Sequence, residues 1–221
     1  MSPRRLTLMI GVAVLAALAP LAAQAQATSR MCSGQSGETP GPACLVGHED
    51  LGALPTGALY WLIYVVADPQ SAARAKAPHG VIVQAFGKVW LFDLGGEARA
   101  LEGGRLLRAV GPLPTEGMEG EVSVEYLKST FPPGMTAPVH VHSGPEAFYA
   151  VSGDSCLETP DGVQLGRGPG HVMMVRRGPP MLLMAIGQET RQGFAMILHG
   201  AANPPTTLTT AWAPKGLCPN T

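Results

Sequence analysis

Segment 134–153, G-M-T-A-P-V-H-V-H-S-G-P-E-A-F-Y-A-V-S-G, constrains the fold of this chain more than any other stretch. His140 and His142 stand two positions apart among valines, and Glu146 follows four positions later. An extended chain alternates its side chains between two faces. A strand here therefore puts both imidazoles on one face and Val139 and Val141 on the other. Ser143-Gly144-Pro145 is turn chemistry that can return the Glu146 carboxylate to the side of the rings. Two neutral imidazoles and a carboxylate are a common donor set for divalent transition metals. The segment demands a strand, a tight turn and a second strand around one polar point.

The rest of the chain is written in the same short units. There are 28 Gly and 21 Pro, and no long helical periodicity follows the first 27 residues. Apolar runs read as strands at 60–66 (Y-W-L-I-Y-V-V), 81–85, 88–94, 105–110, 122–127, 140–142, 147–151, 155–158, 172–175, 181–186 and 194–198. Turn residues recur at a spacing of about 8–12, the pattern of an all-β sandwich or barrel. Residues 31–50 read as turn-rich and irregular, and 111–120 as a Gly/Pro/Glu linker. The two halves resemble a faded repeat offset by 66 positions, which aligns Gly87 with Gly153 and sets Arg74, Lys76 and Gly80 opposite His140, His142 and Glu146.

The beginning of the chain reads as a secretory signal peptide over 1–27: Arg4-Arg5, an apolar run from Leu6 to Ala23, and small-x-small sites ending at Ala25 and Ala27. The mature chain is expected to be exported, periplasmic or secreted, with no membrane attachment after cleavage. In that compartment the four cysteines form two disulfides, which allow three connectivities. The pairing expected is Cys32–Cys44, closing a Gly/Pro/Ser loop, with Cys156–Cys218 tying down the C-terminal tail. A formal net charge of -1 and the lack of a basic stretch interleaved with aromatics argue against nucleic acid as a partner. No Ser-His-Asp set, nucleophilic cysteine context or phosphate-cradling glycine loop is present.

The order Gly134, His140-x-His142, Glu146, Gly153 resembles the first sequence motif of the cupin family at all five fixed positions. The second cupin motif is matched by Gly170 and Gly178 only: Arg176 replaces its proline, and Met181 stands where its histidine belongs. The resemblance covers about half of the mature chain. It implies an all-β cupin double-stranded β-helix, a jelly-roll barrel, present either as two tandem barrels or as one elaborated barrel. The domain division expected is a signal peptide at 1–27, a degenerate cupin-like half at 28–115 and a C-terminal cupin domain at 116–221. The resemblance also implies a divalent transition metal (Fe, Mn, Zn, Ni or Cu) held by His140, His142 and Glu146.

Met181 is the candidate fourth ligand, and its soft thioether would shift preference toward copper; its alternative is to fill the barrel interior. His199, at the end of an apolar strand, is a substitute ligand. His171 reads as a turn residue, and His48 and His79 as solvent-facing. Tyr149 should face away from Glu146 and Phe148, as a packing residue. Glu158, Gln188 and Arg176 could edge a pocket, although Glu158 also reads as a hairpin shoulder. Two functions follow. One is a metal-dependent cupin with a small-molecule substrate and oxygenase or isomerase-type chemistry, and the other is a non-catalytic barrel that binds a small ligand or metal. A homodimer fits either.

Overall fold

A computed structural model describes residues 31–32 and 41–219. The expected signal peptide lies outside the described residues. The strands and single helix are β1 (Gly41–Ala53), β2 (Tyr60–Val66), α1 (Pro69–Ala75), β3 (Val81–Ala85), β4 (Lys88–Gly95) and β5 (Gly104–Val110). There follow β6 (Glu121–Phe131), β7 (His140–His142), β8 (Glu146–Ser152), β9 (Asp154–Thr159), β10 (Gly162–Gly166), β11 (Val172–Val175), β12 (Leu182–Ile186), β13 (Arg191–Gly200) and β14 (Thr206–Leu208).

Strands β6 to β13 fold into one barrel of two facing sheets. The first has the order β6-β13-β8-β11 and is extended at the β6 edge by β1. The second has the order β10-β9-β12, and β7 joins it through the bridges Thr136↔Met184 and His140↔Met181. Apart from the β9–β10 hairpin, successive strands thus alternate between the two sheets, which is the jelly-roll arrangement. Short β14 covers the free edge of β7, so the three-residue strand carrying the histidines is paired on both sides.

Period-2 alternation explains how this barrel carries a second layer. On β13, Phe194, Met196 and Leu198 point outward, while Ala195 and Ile197 point into the barrel. On β8, Ala147 and Tyr149 point outward and Phe148 inward. Tyr149 is thus a packing residue, as expected. The outward face meets an antiparallel sheet of order β3-β4-β2-β5, whose Trp61, Ile63, Val83, Trp90 and Phe92 complete one apolar core. The opposite face of that sheet buries Leu62, Tyr64, Val66 and Leu91 against Ala72 of α1. Strand β2 is therefore covered on both faces, which is why its sequence is apolar without alternation.

The first half is not a second barrel. Among the described residues it supplies one four-stranded sheet, a helix and the edge strand β1 of the barrel sheet, and the fold is a single elaborated barrel. The faded repeat fails for a concrete reason: Arg74 lies in α1 and Lys76 caps it, opposite the strand that holds His140 and His142. The helix starts at Asp68, whose carboxylate accepts from the Ser71 N–H at 2.8 Å, with Pro69 in the first turn.

Both disulfides pair as expected, Cys32–Cys44 and Cys156–Cys218. Cys156 projects away from the barrel interior and holds the tail beside Ile186. Glu158 is wholly buried under that tail and accepts from the backbone N–H groups of Lys215 and Leu217. It stands on the shoulder of the β9–β10 hairpin, opposite Val163, as expected, and it also tethers the tail rather than edging a pocket. Residues 31–50 were expected to be irregular, but those from 41 onward lie in the long edge strand β1 (Gly41–Ala53), which pairs with β6 through three register shifts.

Candidate metal centre

On β7 the alternation predicted from sequence holds: His140 and His142 are buried, and Val141 between them is half-buried. The turn after them is clamped to the end of β13. A Cβ on Gly144 would lie 1.8 Å from the Leu198 carbonyl oxygen, so glycine alone fits there. The Leu198 N–H donates to the Pro145 carbonyl, and the Ser143 hydroxyl to that of Pro204. Glu146, the next residue, opens β8 and is buried. Gly153 ends the segment at φ +69, where a Cβ would strike the Arg191 backbone at 2.7 Å.

One ligand atom each from His140, His142 and Glu146 lie within 4.8 Å of one another. The ring centroids of the two histidines are 4.6 Å apart with planes at 83°. Nδ1 of His140 faces the Pro138 carbonyl at 2.6 Å, and Nδ1 of His142 faces that of Pro205 at 2.9 Å. A carbonyl only accepts, so both rings carry their proton on Nδ1 and turn the Nε2 lone pair inward. That is the tautomer a metal requires, and a backbone carbonyl is one of the usual partners that fix it. His142 Nε2 lies 2.9 Å from Glu146 Oε2, yet neither atom has a hydrogen-bond partner. A lone pair facing a carboxylate in a dry setting is stabilised by a cation between them or by a proton on the ring. The donor set therefore fits a divalent ion.

The field around the rings differs. Burial, and then the neighbouring His142, hold His140 below the ordinary histidine range. Burial pulls His142 down as well, but the charge of Glu146, the hydrogen bond that a protonated ring would donate to it and the Pro205 carbonyl outweigh burial, and the pKa of His142 is raised.

The remaining expected site residues are placed as follows. Met181 is fully buried in the barrel's apolar core, and its backbone exchanges hydrogen bonds with that of His140. His199 does point inward, but it joins His48 and Glu125 rather than the trio. His171 sits at its turn with Nδ1 facing the Gly168 carbonyl at 2.6 Å. Arg176 is exposed and pairs with Asp161, and Gln188 is exposed, so neither edges the trio. His48 is exposed, as expected, with its Nε2 3.1 Å from Asp50 Oδ1. An open depression of about 660 Å³ lies between residues 53–57 and 115–121 and shares no residue with the trio.

Sequence reasoning missed Arg191. Its guanidinium is fully buried in the barrel, donating to the Ser155 and Ser129 hydroxyls beside the Phe131 ring, with Nη2 unpartnered. Burial lowers its pKa to about 10, so it stays charged at neutral pH. A lone Arg at the start of an apolar strand gives no sign of this.

No family model and no curated protein matches the chain. Solved structures of low identity are similar to part of it. A cupin superfamily protein from Desulfitobacterium hafniense matches at 16% identity and TM-score 0.32, over 34% of this chain and 67% of its own. An oxalate oxidase matches at 19% and 0.34, over 39% of this chain and 46% of its own. The DMSP lyase DddQ from Ruegeria pomeroyi matches at 16% and 0.35, over 41% and 45%. This chain thus spans less than half the length of the two enzymes. The strand order of the barrel and the five-residue pattern at 134–153 make the fold that of a cupin jelly roll.

Proposed function

We propose that His140, His142 and Glu146 hold one divalent transition metal in an exported cupin barrel, and that the site takes a small-molecule ligand. The observation that carries this reading is the pair of Nδ1–carbonyl contacts, which turn two buried Nε2 lone pairs toward one carboxylate. A bound ion would supply Lewis acidity toward water or an oxygen-bearing substrate, as in oxygenase or isomerase-type chemistry. The chain's own part is to orient the rings, exclude water and balance the charge: Glu146 offsets one positive charge, and Pro138 and Pro205 lock the tautomers. Met181, beside His140, is the candidate for a fourth ligand.

The division into a signal peptide at 1–27, an N-terminal half at 28–115 and a C-terminal cupin domain at 116–221 belongs to the same proposal. Two disulfides support a non-reducing, periplasmic or secreted setting, and no described helix is long and apolar enough to cross a membrane. A homodimer is compatible with this reading. A second reading, binding without turnover, is favoured by one observation: the Met181 side chain is packed into the apolar core where a fourth imidazole is expected.

Elemental analysis of the purified mature protein, beside a His140→Ala/His142→Ala variant, tests the reading. The expected result is metal at the trio in the parent and its loss in the variant. Equal metal content in both, or none in either after incubation with divalent ions, would overturn it.

A further inference from the structure

Three strands far apart in sequence bring a second set of donors together. Strand β1 pairs with β6 so that His48 lies opposite Glu125 and Asp50 opposite Ser123. Strand β13 pairs with the other edge of β6 so that His199 lies opposite Ser123, one pleat from Glu125. One ligand atom each from His48, Glu125 and His199 lie within 4.8 Å of one another. From this geometry we propose a second divalent-cation site, for a first-row transition ion, held by His48, Glu125 and His199.

The strongest observation is on His199. Its Nδ1 faces two carbonyl oxygens, Gly200 at 3.0 Å and Asn203 at 3.1 Å. The proton therefore sits on Nδ1, and Nε2 is a lone pair. That atom is buried without a hydrogen-bond partner on a residue only 4% exposed. An unsatisfied buried acceptor is costly, and a bound cation satisfies it. His48 is oriented by Asp50, which in turn accepts from the Ser123 hydroxyl at 2.7 Å. A carboxylate behind a histidine ring is the usual support of a metal-binding imidazole. Two imidazoles and a carboxylate suit zinc, cobalt, nickel or copper, whereas calcium and magnesium prefer oxygen ligands throughout.

The site is distinct from the trio yet joined to it. Ile197 on β13 separates Glu125 from Glu146, since it pairs with both. Loop 200–205 orients one ring in each cluster: Asn203 accepts from His199 and Pro205 from His142. Access also differs. The His48 side chain is 43% exposed, so an ion enters this cluster from solvent at the β1 edge.

The test is a zinc titration of the metal-stripped, disulfide-intact protein, with four forms compared: parent, H140A/H142A, H48A and E125Q. The expected result is two zinc ions per parent chain and one in H140A/H142A, with the second at least tenfold weaker in H48A and in E125Q. Zinc anomalous diffraction should place a peak among His48, Glu125 and His199. His48 lies at the surface, so H48A folds and decides the matter even if E125Q does not; unchanged thermal melting of the metal-free variant checks this. One zinc lost in H140A/H142A and unaffected by H48A overturns the second site and leaves the trio standing. One zinc lost in H48A and kept in H140A/H142A supports the second site and defeats the trio. No zinc in the parent overturns both.

Discussion

The two histidine clusters use the same donors, two imidazoles and a glutamate, but are built in opposite ways. The trio comes from seven consecutive residues on one strand-turn-strand unit and is buried on every member. The second cluster is drawn from β1, β6 and β13, and runs from exposed His48 to buried His199. The trio depends on local geometry, whereas the second cluster depends on strand register across 151 positions of chain, from 48 to 199. Different perturbations should therefore separate them.

The largest effect should be one that does not separate them at all. Phe194 packs edge-on against Trp90 and Phe92, with both centroids 5.0 Å away, in the layer between the four-stranded sheet and the barrel. Its strand carries His199 and pairs with the strand carrying Glu146. Phe194→Ala should destabilise the protein by about 3–5 kcal/mol through the cavity it leaves. In denaturant, zinc release from both clusters should follow the same transition. Release from one well before the other would show that the shared sheet does not couple them.

Opening the Cys32–Cys44 bridge should separate the clusters sharply. The bridge closes a 12-residue separation at the start of β1 and touches nothing in the trio. Its removal by Cys32→Ser/Cys44→Ser should cost about 3 kcal/mol in the usual chain-entropy account. Zinc affinity should fall at His48 and Glu125 while the trio keeps its own, as read by titration in the H140A/H142A and H48A backgrounds. Equal weakening in both backgrounds would mean that β1 supports the whole barrel rather than one edge of it.

What was legible in the sequence follows the same division. Period-2 alternation over 139–142 and the turn at 143–145 bring His140, His142 and Glu146 to one point, as they do in the structure, because each step spans a few residues. Strand β2 was legible as a strand from its aromatic and β-branched run, but burial on both faces gave no clue to which sheet it joins. Strand β1 was not legible. Its Gly, Pro and charged residues read as a loop, and pairing along one edge of β6 overrides that propensity. His48 was rightly assigned to solvent, but its place opposite Glu125 was not noticed. Helix α1 was missed because Asp68-Pro69 reads equally as a strand boundary and as a helix cap. Glu158 was legible as a hairpin shoulder, but its tether to the tail was not, because its backbone partners lie 57 and 59 positions away.

A smaller effect should follow from His142→Ala alone. It removes the ring that faces Glu146 at 2.9 Å and should weaken zinc at the trio by at least about 100-fold, or roughly 2.8 kcal/mol. The second cluster should hold its ion with unchanged affinity, because the Asn203 carbonyl that orients His199 belongs to the same loop but not to the same hydrogen bond. A parallel loss at the second cluster would show that loop 200–205 transmits the change.

The smallest effect expected is at Asp50. It touches neither the trio nor the ring of His199; it acts on the second cluster through His48. Asp50→Asn keeps the shape and a hydrogen-bond acceptor for that ring while removing the charge. Loss of such an outer partner costs metal affinity by about 10-fold, near the lower end of the range for these positions. The trio offers the contrast: its ring Nδ1 atoms face the carbonyls of Pro138 and Pro205, and the side chain beside them, the Thr206 hydroxyl 3.3 Å from His142 Nδ1, is neutral. Ten-fold weaker zinc in Asp50→Asn, measured in the H140A/H142A background, would show that the second cluster orients its histidine by a side chain and the first by backbone. Unchanged affinity there would mean that Asp50 is a surface pair and that the strand register alone positions His48.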